Sequence, residues 1–148
     1  MGFFDEIFLN QPFIAALLAF FIAQFLKIGA KIAKGYKFDF KWLVSMGGFP
    51  SAHSAAVSAL AMSLGLNFGF DSGLFAISAI FAGIVIFDAR VIRKAAGRQA
   101  EILNKIVEDL YKKRGLRGER LKELLGHTSF EIFFGIALGI LVAALLCC

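Results

Sequence analysis

The hydrophobic positions along this chain fall into long blocks, and the blocks predict helices. Residues 12–33 form the first block, 22 residues interrupted late by Gln24, Lys27 and Lys31. That is enough helix to cross about 30 Å of hydrocarbon. Lys31 can snorkel toward a headgroup region; Lys27 lies a turn deeper. A connector over 35–52 mixes charges, glycines and aromatics, with Tyr36 and Trp42 suited to an interface. A second helix starts near Ser51 or His53 and runs to about Leu66, rich in the alanine and serine that allow close packing. Asn67, Gly69, Asp71 and Gly73 mark a turn, and a third helix runs from about Ser72 to Phe87. Both helices are short for spans, a shortfall that bilayer thinning or burial inside a bundle accommodates.

Residues 88–125 change character. Arg90, Arg93, Lys94 and Arg98 precede Ile102, Leu103, Ile106, Val107 and Leu110, which recur at helical spacing on one face with charges opposite. This predicts an amphipathic helix lying along a membrane surface or against the bundle. "KKRGLRGER" at 112–120 is a polar break, and residues 130–146 are the last apolar run. The pattern predicts an all-α integral membrane helical bundle, with about four short transmembrane helices plus an amphipathic cytoplasmic helix, in a single domain over 1–148.

Composition strengthens this picture. Hydrophobic residues make up 59% of the 148, with 18 phenylalanines, high for a soluble domain and incompatible with disorder. A soluble helical protein around a buried apolar hairpin would be left with too little polar surface. The net charge of +5 is uneven. Residues 27–41 hold five lysines and residues 88–123 eleven bases against six acids, while the N-terminus, the 67–72 turn and the C-terminus hold none. The positive-inside rule puts both basic segments in the cytoplasm and both termini outside, in a multi-pass protein of the inner membrane. The bases at 88–122 are explained by contact with the cytoplasmic leaflet, so no nucleic-acid partner is expected. Asp5 and Glu6 without a basic segment argue against a cleaved signal peptide. Cys147 and Cys148 offer no metal or redox spacing.

That topology gathers the scattered polar residues at one end. Lys27 is near the inner end of the first helix. Gly48, Pro50, Ser51 and His53 open the second. Asp88, Arg90 and Arg93 follow the third. His127 and Glu131 open the last. The chain's two histidines thus both stand at helix starts, where free backbone N–H groups attract anions. Beside lysine and arginine they suit phosphate. Glu131, four residues after His127, can hold one imidazole nitrogen and leave the other nucleophilic. His53 is then placed to protonate a leaving alkoxide, with Lys27 and one or more of Arg90, Arg93 and Arg98 stabilising phosphoryl oxygens. Other roles stay open. Ser51 either caps its helix or donates to phosphate, and Lys27 either snorkels or binds. Asp88 can pair with Arg90 or Arg93 and so order the basic segment. Gly48 gives the turn a close backbone approach to a substrate, Pro50 sharpens the helix start, and Glu131 has a capping role open to it.

"PSAH" at 50–53 is similar to the PSGH motif of the type 2 phosphatidic acid phosphatase superfamily, and "HTSFE" at 127–131 resembles its HxxxD element with Glu131 in the aspartate place. With "DARVIRKAAGRQA" and "LKELLGHTSFE", the match covers nearly the full length and resembles the superfamily's small divergent bacterial branch, the divergent PAP2 family. The resemblance implies a PAP2-like core and a phosphatase that needs no metal or cofactor. His127 would be the nucleophile, Glu131 its orienting partner and His53 the acid. Lipid phosphates or isoprenyl pyrophosphates would be the substrates. The chain departs from the pattern in two places: it has no lysine followed by an Arg-Pro pair, and Leu121 stands where an arginine usually precedes the histidine. A phosphomonoesterase of lipid phosphates is therefore expected to act through a phospho-histidine. The alternatives are a non-catalytic phospholipid-binding or assembly protein that retains the anion pocket, and a transporter of phosphorylated lipid. Four short spans enclose little core, which makes a homo-oligomer an expectation.

Overall fold

The computed structural model describes residues 2–33, 35–36, 48–114 and 128–147. Its elements are α1 (Phe3–Phe8), α2 (Gln11–Ala33), α3 (Ala52–Phe68), α4 (Gly73–Phe87), a π-helical turn (Asp88–Ile92), α5 (Arg93–Arg114) and α6 (Ser129–Cys147). There is no strand among the described residues. Local chemistry sets the helix starts. Asn10 Oδ1 accepts from the Phe13 N–H at 3.1 Å and Pro12 sits in the first turn, where its missing N–H costs nothing. Ser51 caps α3 and Ser72 caps α4. Gly69, at φ +93°, closes α3 in a conformation that favours glycine.

The bundle is built inside out relative to a water-soluble one. Its core is small: Ala15, Ala19 and Ala23 of α2 meet Ala52, Ala55 and Ala59 of α3 and Val142 and Ala143 of α6. The large residues point outward, among them Phe21 and Phe25 of α2, Ile77, Ile80 and Ile84 of α4, and Phe133 and Leu145 of α6. Small residues at four-residue spacing let backbones approach, as in membrane helices, and an outer coat of phenylalanine and isoleucine suits lipid rather than water. Among the described residues, Gln11–Ala33, Gly73–Val91 and Ser129–Cys147 are long and apolar enough to cross a membrane.

The fourth expected span is α3. At 17 residues it is about 25 Å long, shorter than the hydrocarbon core. Apart from His53, Asn67 and Phe68, all of its residues are buried or half-buried, enclosed by α2, α4 and α6. Its sequence explains this place: alanine, serine and glycine dominate it, so its neighbours can close around it. Three helices of spanning length thus surround a shorter central one.

The direction of each helix follows from its contacts. Gly135 lies against Ser51, Gly139 against Ala55, and Cys147 against Ser63, so α3 and α6 run parallel in register. The short turn makes α4 antiparallel to α3. Gln11 and Pro12 of α2 line a cavity with Leu64 and Asn67 of α3 and Leu74 of α4, so α2 is antiparallel to α3 as well. The C-terminal ends of α2 and α4 therefore share one end of the bundle with the N-terminal ends of α3 and α6. On α5, Lys105 and Glu101 form an exposed pair at 2.8 Å. Ile102, Leu103 and Ile106 are about half-exposed, so that apolar stripe is not buried on the described bundle.

Candidate functional site

The end shared by the C-terminus of α2 and the N-termini of α3 and α6 holds the polar chemistry of the bundle. Gln24, Lys27 and Lys31 fall at spacings of three and four along α2, and therefore on one face. Lys27 is 5% exposed and Gln24 6%, which is unusual for a lysine. The Lys27 ammonium donates to Gln24 Oε1 at 3.0 Å. Among the described residues that is its one hydrogen bond, although an ammonium has three donors. Lys31 repels this charge and Glu131 attracts it.

Gly48 lies over the stem of Lys27. Its φ is +101°, and a Cβ there would come within 3.2 Å of Lys27 Cγ and Cδ. A larger residue would be strained in its backbone and would press on the lysine chain. The chain then passes through Phe49 and Pro50 to Ser51, which is fully buried. The Ser51 Oγ accepts from the Ser54 N–H at 3.4 Å and from the Ser54 hydroxyl at 3.0 Å.

The start of α6 is tied to the same place. The Ser51 N–H donates to the Glu131 carbonyl at 3.0 Å. The Thr128 N–H donates to Glu131 Oε2 at 3.0 Å, and the Glu131 N–H to Thr128 Oγ1 at 3.3 Å. This reciprocal pair is a capping box, so the Glu131 side chain holds the start of α6 while it faces Lys27. Lys27, Ala30 and Lys31 from α2, Gly48 and Phe49 from the connector, and Thr128, Phe130 and Glu131 from α6 enclose a cavity of about 560 Å³.

Two lysines and one carboxylate line this space, and the buried lysine, Lys27, makes one hydrogen bond among the described residues. A buried cation in that condition is costly. An anion in the cavity would relieve the cost, because it brings acceptors to the ammonium. Among the described residues, no group of three or more His, Cys, Asp or Glu side chains is arranged to hold a metal ion.

The other residues singled out in the sequence lie around this cavity at varying remove. Pro50 is buried beside it and lines an adjoining groove. His53 is exposed on the first turn of α3, its ring meeting Phe20 edge-on at 6.0 Å between centroids. Asp88 and Arg90 lie on the π-helical turn at the same end of the bundle, Asp88 half-buried and Arg90 exposed. Arg98 is exposed on α5. Neither His53, Asp88, Arg90 nor Arg98 is among the described residues lining the cavity. The backbone of Arg93 opens α5, while its side chain, like the whole of His127, lies outside what is described; His127 immediately precedes Thr128 in the chain.

Gln24 is the participant that sequence reasoning passed over. Its signal was available: a lone amide three residues before a lysine, on the same face of an otherwise apolar helix. Thr128 was legible in the same way, as the first residue of a T-x-x-E capping pattern.

The sequence model of the Divergent PAP2 family matches residues 8–142. The uncharacterized membrane protein YuiD of Bacillus subtilis (strain 168) is 41% identical over 152 residues, covering 95% of this chain and 96% of that protein. No solved structure matches the chain.

Proposed function

Because this chain belongs to the divergent PAP2 family, we propose that it is a membrane phosphatase that removes phosphate from lipid phosphates or isoprenyl pyrophosphates. The observation that carries this reading is Lys27, a buried ammonium with one hydrogen bond among the described residues, in a cavity it shares with Lys31 and Glu131. This cavity is lined in part by Thr128, which follows His127 in the chain. Phosphate suits it in charge, and Lys27 needs what phosphate oxygens supply.

The proposed reaction has two steps. An imidazole nitrogen of His127 attacks the terminal phosphorus, the bond from that phosphorus to the leaving oxygen breaks (the lipid oxygen of a monophosphate, the bridging oxygen of a pyrophosphate), and His53 gives its proton to that oxygen. Water then attacks the phospho-histidine, His53 takes back a proton, and inorganic phosphate leaves with His127 restored. Lys27 and Lys31 stabilise the charge on the phosphoryl oxygens in both steps. The Glu131 carboxylate orients His127, in addition to capping α6. Arg90, Arg93 and Arg98 supply further charge from the basic segment. On the charge pattern of the sequence, this end faces the cytoplasm across the inner membrane.

One observation favours a second reading. His53 packs against Phe20 and is not among the described residues lining the cavity. A protein that binds lipid phosphate without cleaving it needs Lys27 and Lys31 but no acid at that position. The two readings part in one experiment, phosphate release by purified protein from a panel of lipid phosphates and pyrophosphates, with and without EDTA. The enzyme reading expects release that survives EDTA and is lost in His127→Ala. Absence of release across the panel, from folded protein that retains lipid phosphate, selects the binding reading.

A further inference from the structure

A second cavity of about 550 Å³ opens between α2 and α6. It adjoins the first, sharing Ala30 and Phe49 with it. The rest of its wall comprises Leu26 and Pro50 on one side and Phe134, Ala137, Leu138 and Leu141 on the other, all apolar. The two spaces thus lie side by side, with a sharp change of character between them. Lys27, Lys31 and Glu131 line the first, and among the described residues no charged one lines the second. From Glu131 to Leu141 the two spaces together follow α6 for ten residues, about 15 Å. That is half of the roughly 30 Å hydrocarbon core, the depth of one leaflet.

We propose that the groove between α2 and α6 seats one apolar chain of a bilayer lipid whose phosphate lies in the Lys27–Lys31 cavity. The inference rests on reading that cavity as a phosphate site, and adds to it a tail site and a lateral route of entry. Charge complementarity identifies the occupant. A soluble phosphate would leave the groove empty, and a neutral lipid would leave the lysines unmatched. Leu26, Phe134 and Leu141 remain about half-exposed on the outer surface, so a chain can slide in from the bilayer without the bundle opening. Phe49 stands where head and tail meet.

The test uses the full chain in nanodiscs and a lipid monophosphate carrying a photoactivatable diazirine midway along one acyl chain. A neutral diacylglycerol with the same chain is the control. The phosphate lipid is expected to label Leu26, Phe134, Leu138 and Leu141 over Ile77, Ile80 and Ile84 of α4 by about tenfold, the preference that one charged hydrogen bond to its phosphate confers. The neutral lipid is expected to label both surfaces alike. Ala137→Phe, which fills the groove, should bring labelling by the phosphate lipid down to the α4 level while a short-chain phosphate monoester still binds. Leu138→Trp serves the same purpose if the first variant melts early. Equal labelling of α4 by the phosphate lipid, or groove labelling unchanged in a folded plugged variant, overturns the proposal. Groove labelling without phosphate release would remove the catalytic reading and leave this site standing; uniform labelling with phosphate release would do the reverse.

Discussion

Alanine in place of glycine has opposite consequences at different positions of this bundle. In a helix interior the exchange is worth about 1 kcal/mol in favour of alanine, if the new methyl group has room. At Gly29 of α2 and Gly83 of α4 nothing lies within 4 Å of the added Cβ. At Gly135 it would stand 2.5 Å from the Ser51 carbonyl oxygen, and at Gly139 it would overlap the Ala55 carbonyl oxygen and approach the Ala59 nitrogen to 2.9 Å. These are backbone atoms, which no rotamer change can move aside. Restoring ordinary contact at Gly135 requires α6 to retreat from α3 by about 0.9 Å, which forfeits much of the dispersion along that face. Overpacking of this kind costs about 1–3 kcal/mol. The backbone clash puts it at the upper end, for a net loss of about 2 kcal/mol after the propensity gain. Thermal unfolding in one detergent would read all four variants on a common scale. Gly29→Ala and Gly83→Ala should match or exceed the wild type, while Gly135→Ala and Gly139→Ala should melt clearly below it. Four equal shifts would refute the parallel register of α3 and α6 and, with it, the joining of Ser51 to Glu131.

Three further substitutions separate folding from function. Glu131→Gln keeps a side chain that can complete the capping box, so the melting temperature should hold while phosphate release falls on the order of a hundredfold; unchanged release would remove the carboxylate from the mechanism. Lys27→Met deletes a buried ammonium that has one hydrogen bond among the described residues. Stability should hold or rise, and retention of lipid phosphate in a vesicle-binding assay should fall roughly tenfold to a hundredfold, as loss of a charged hydrogen bond implies. Ser72→Ala removes the acceptor of the Phe75 N–H at the far end of the bundle; it should cost about 1 kcal/mol in thermal unfolding with phosphate release unaltered, and altered release would mean that the two ends are coupled.

Much of the architecture was legible because membrane helices carry a coarse signal. Long apolar runs marked α2, α4 and α6, and Ser51 and the glycines after Asn67 fixed the limits of α3. The π-helical turn at Asp88–Ile92 was not legible, since "DARVI" contains no residue that marks it. Nor was α1, six residues long, whose apolar content matches its surroundings. The central place of α3 follows from its small side chains, yet counting apolar runs treats it as one more span. At the site, Lys27 stood out as a charge one turn deeper than Lys31, and Gly48 as a point of close approach. How near His53 lies to the cavity depends on the rotation of α3 about its axis, which a motif of four letters does not specify. The capping box gives Glu131 a structural role, which pairing it with His127 alone would miss.

The most direct test of the central claim is rapid quenching of purified protein mixed with a phosphate-labelled lipid, followed by mass spectrometry under alkaline conditions that preserve phospho-histidine. The account predicts a phosphoryl group on His127 that appears within one turnover and decays as inorganic phosphate is released, with none formed in His127→Ala. Phosphate release from wild-type protein without any phosphoryl group on His127 would contradict it.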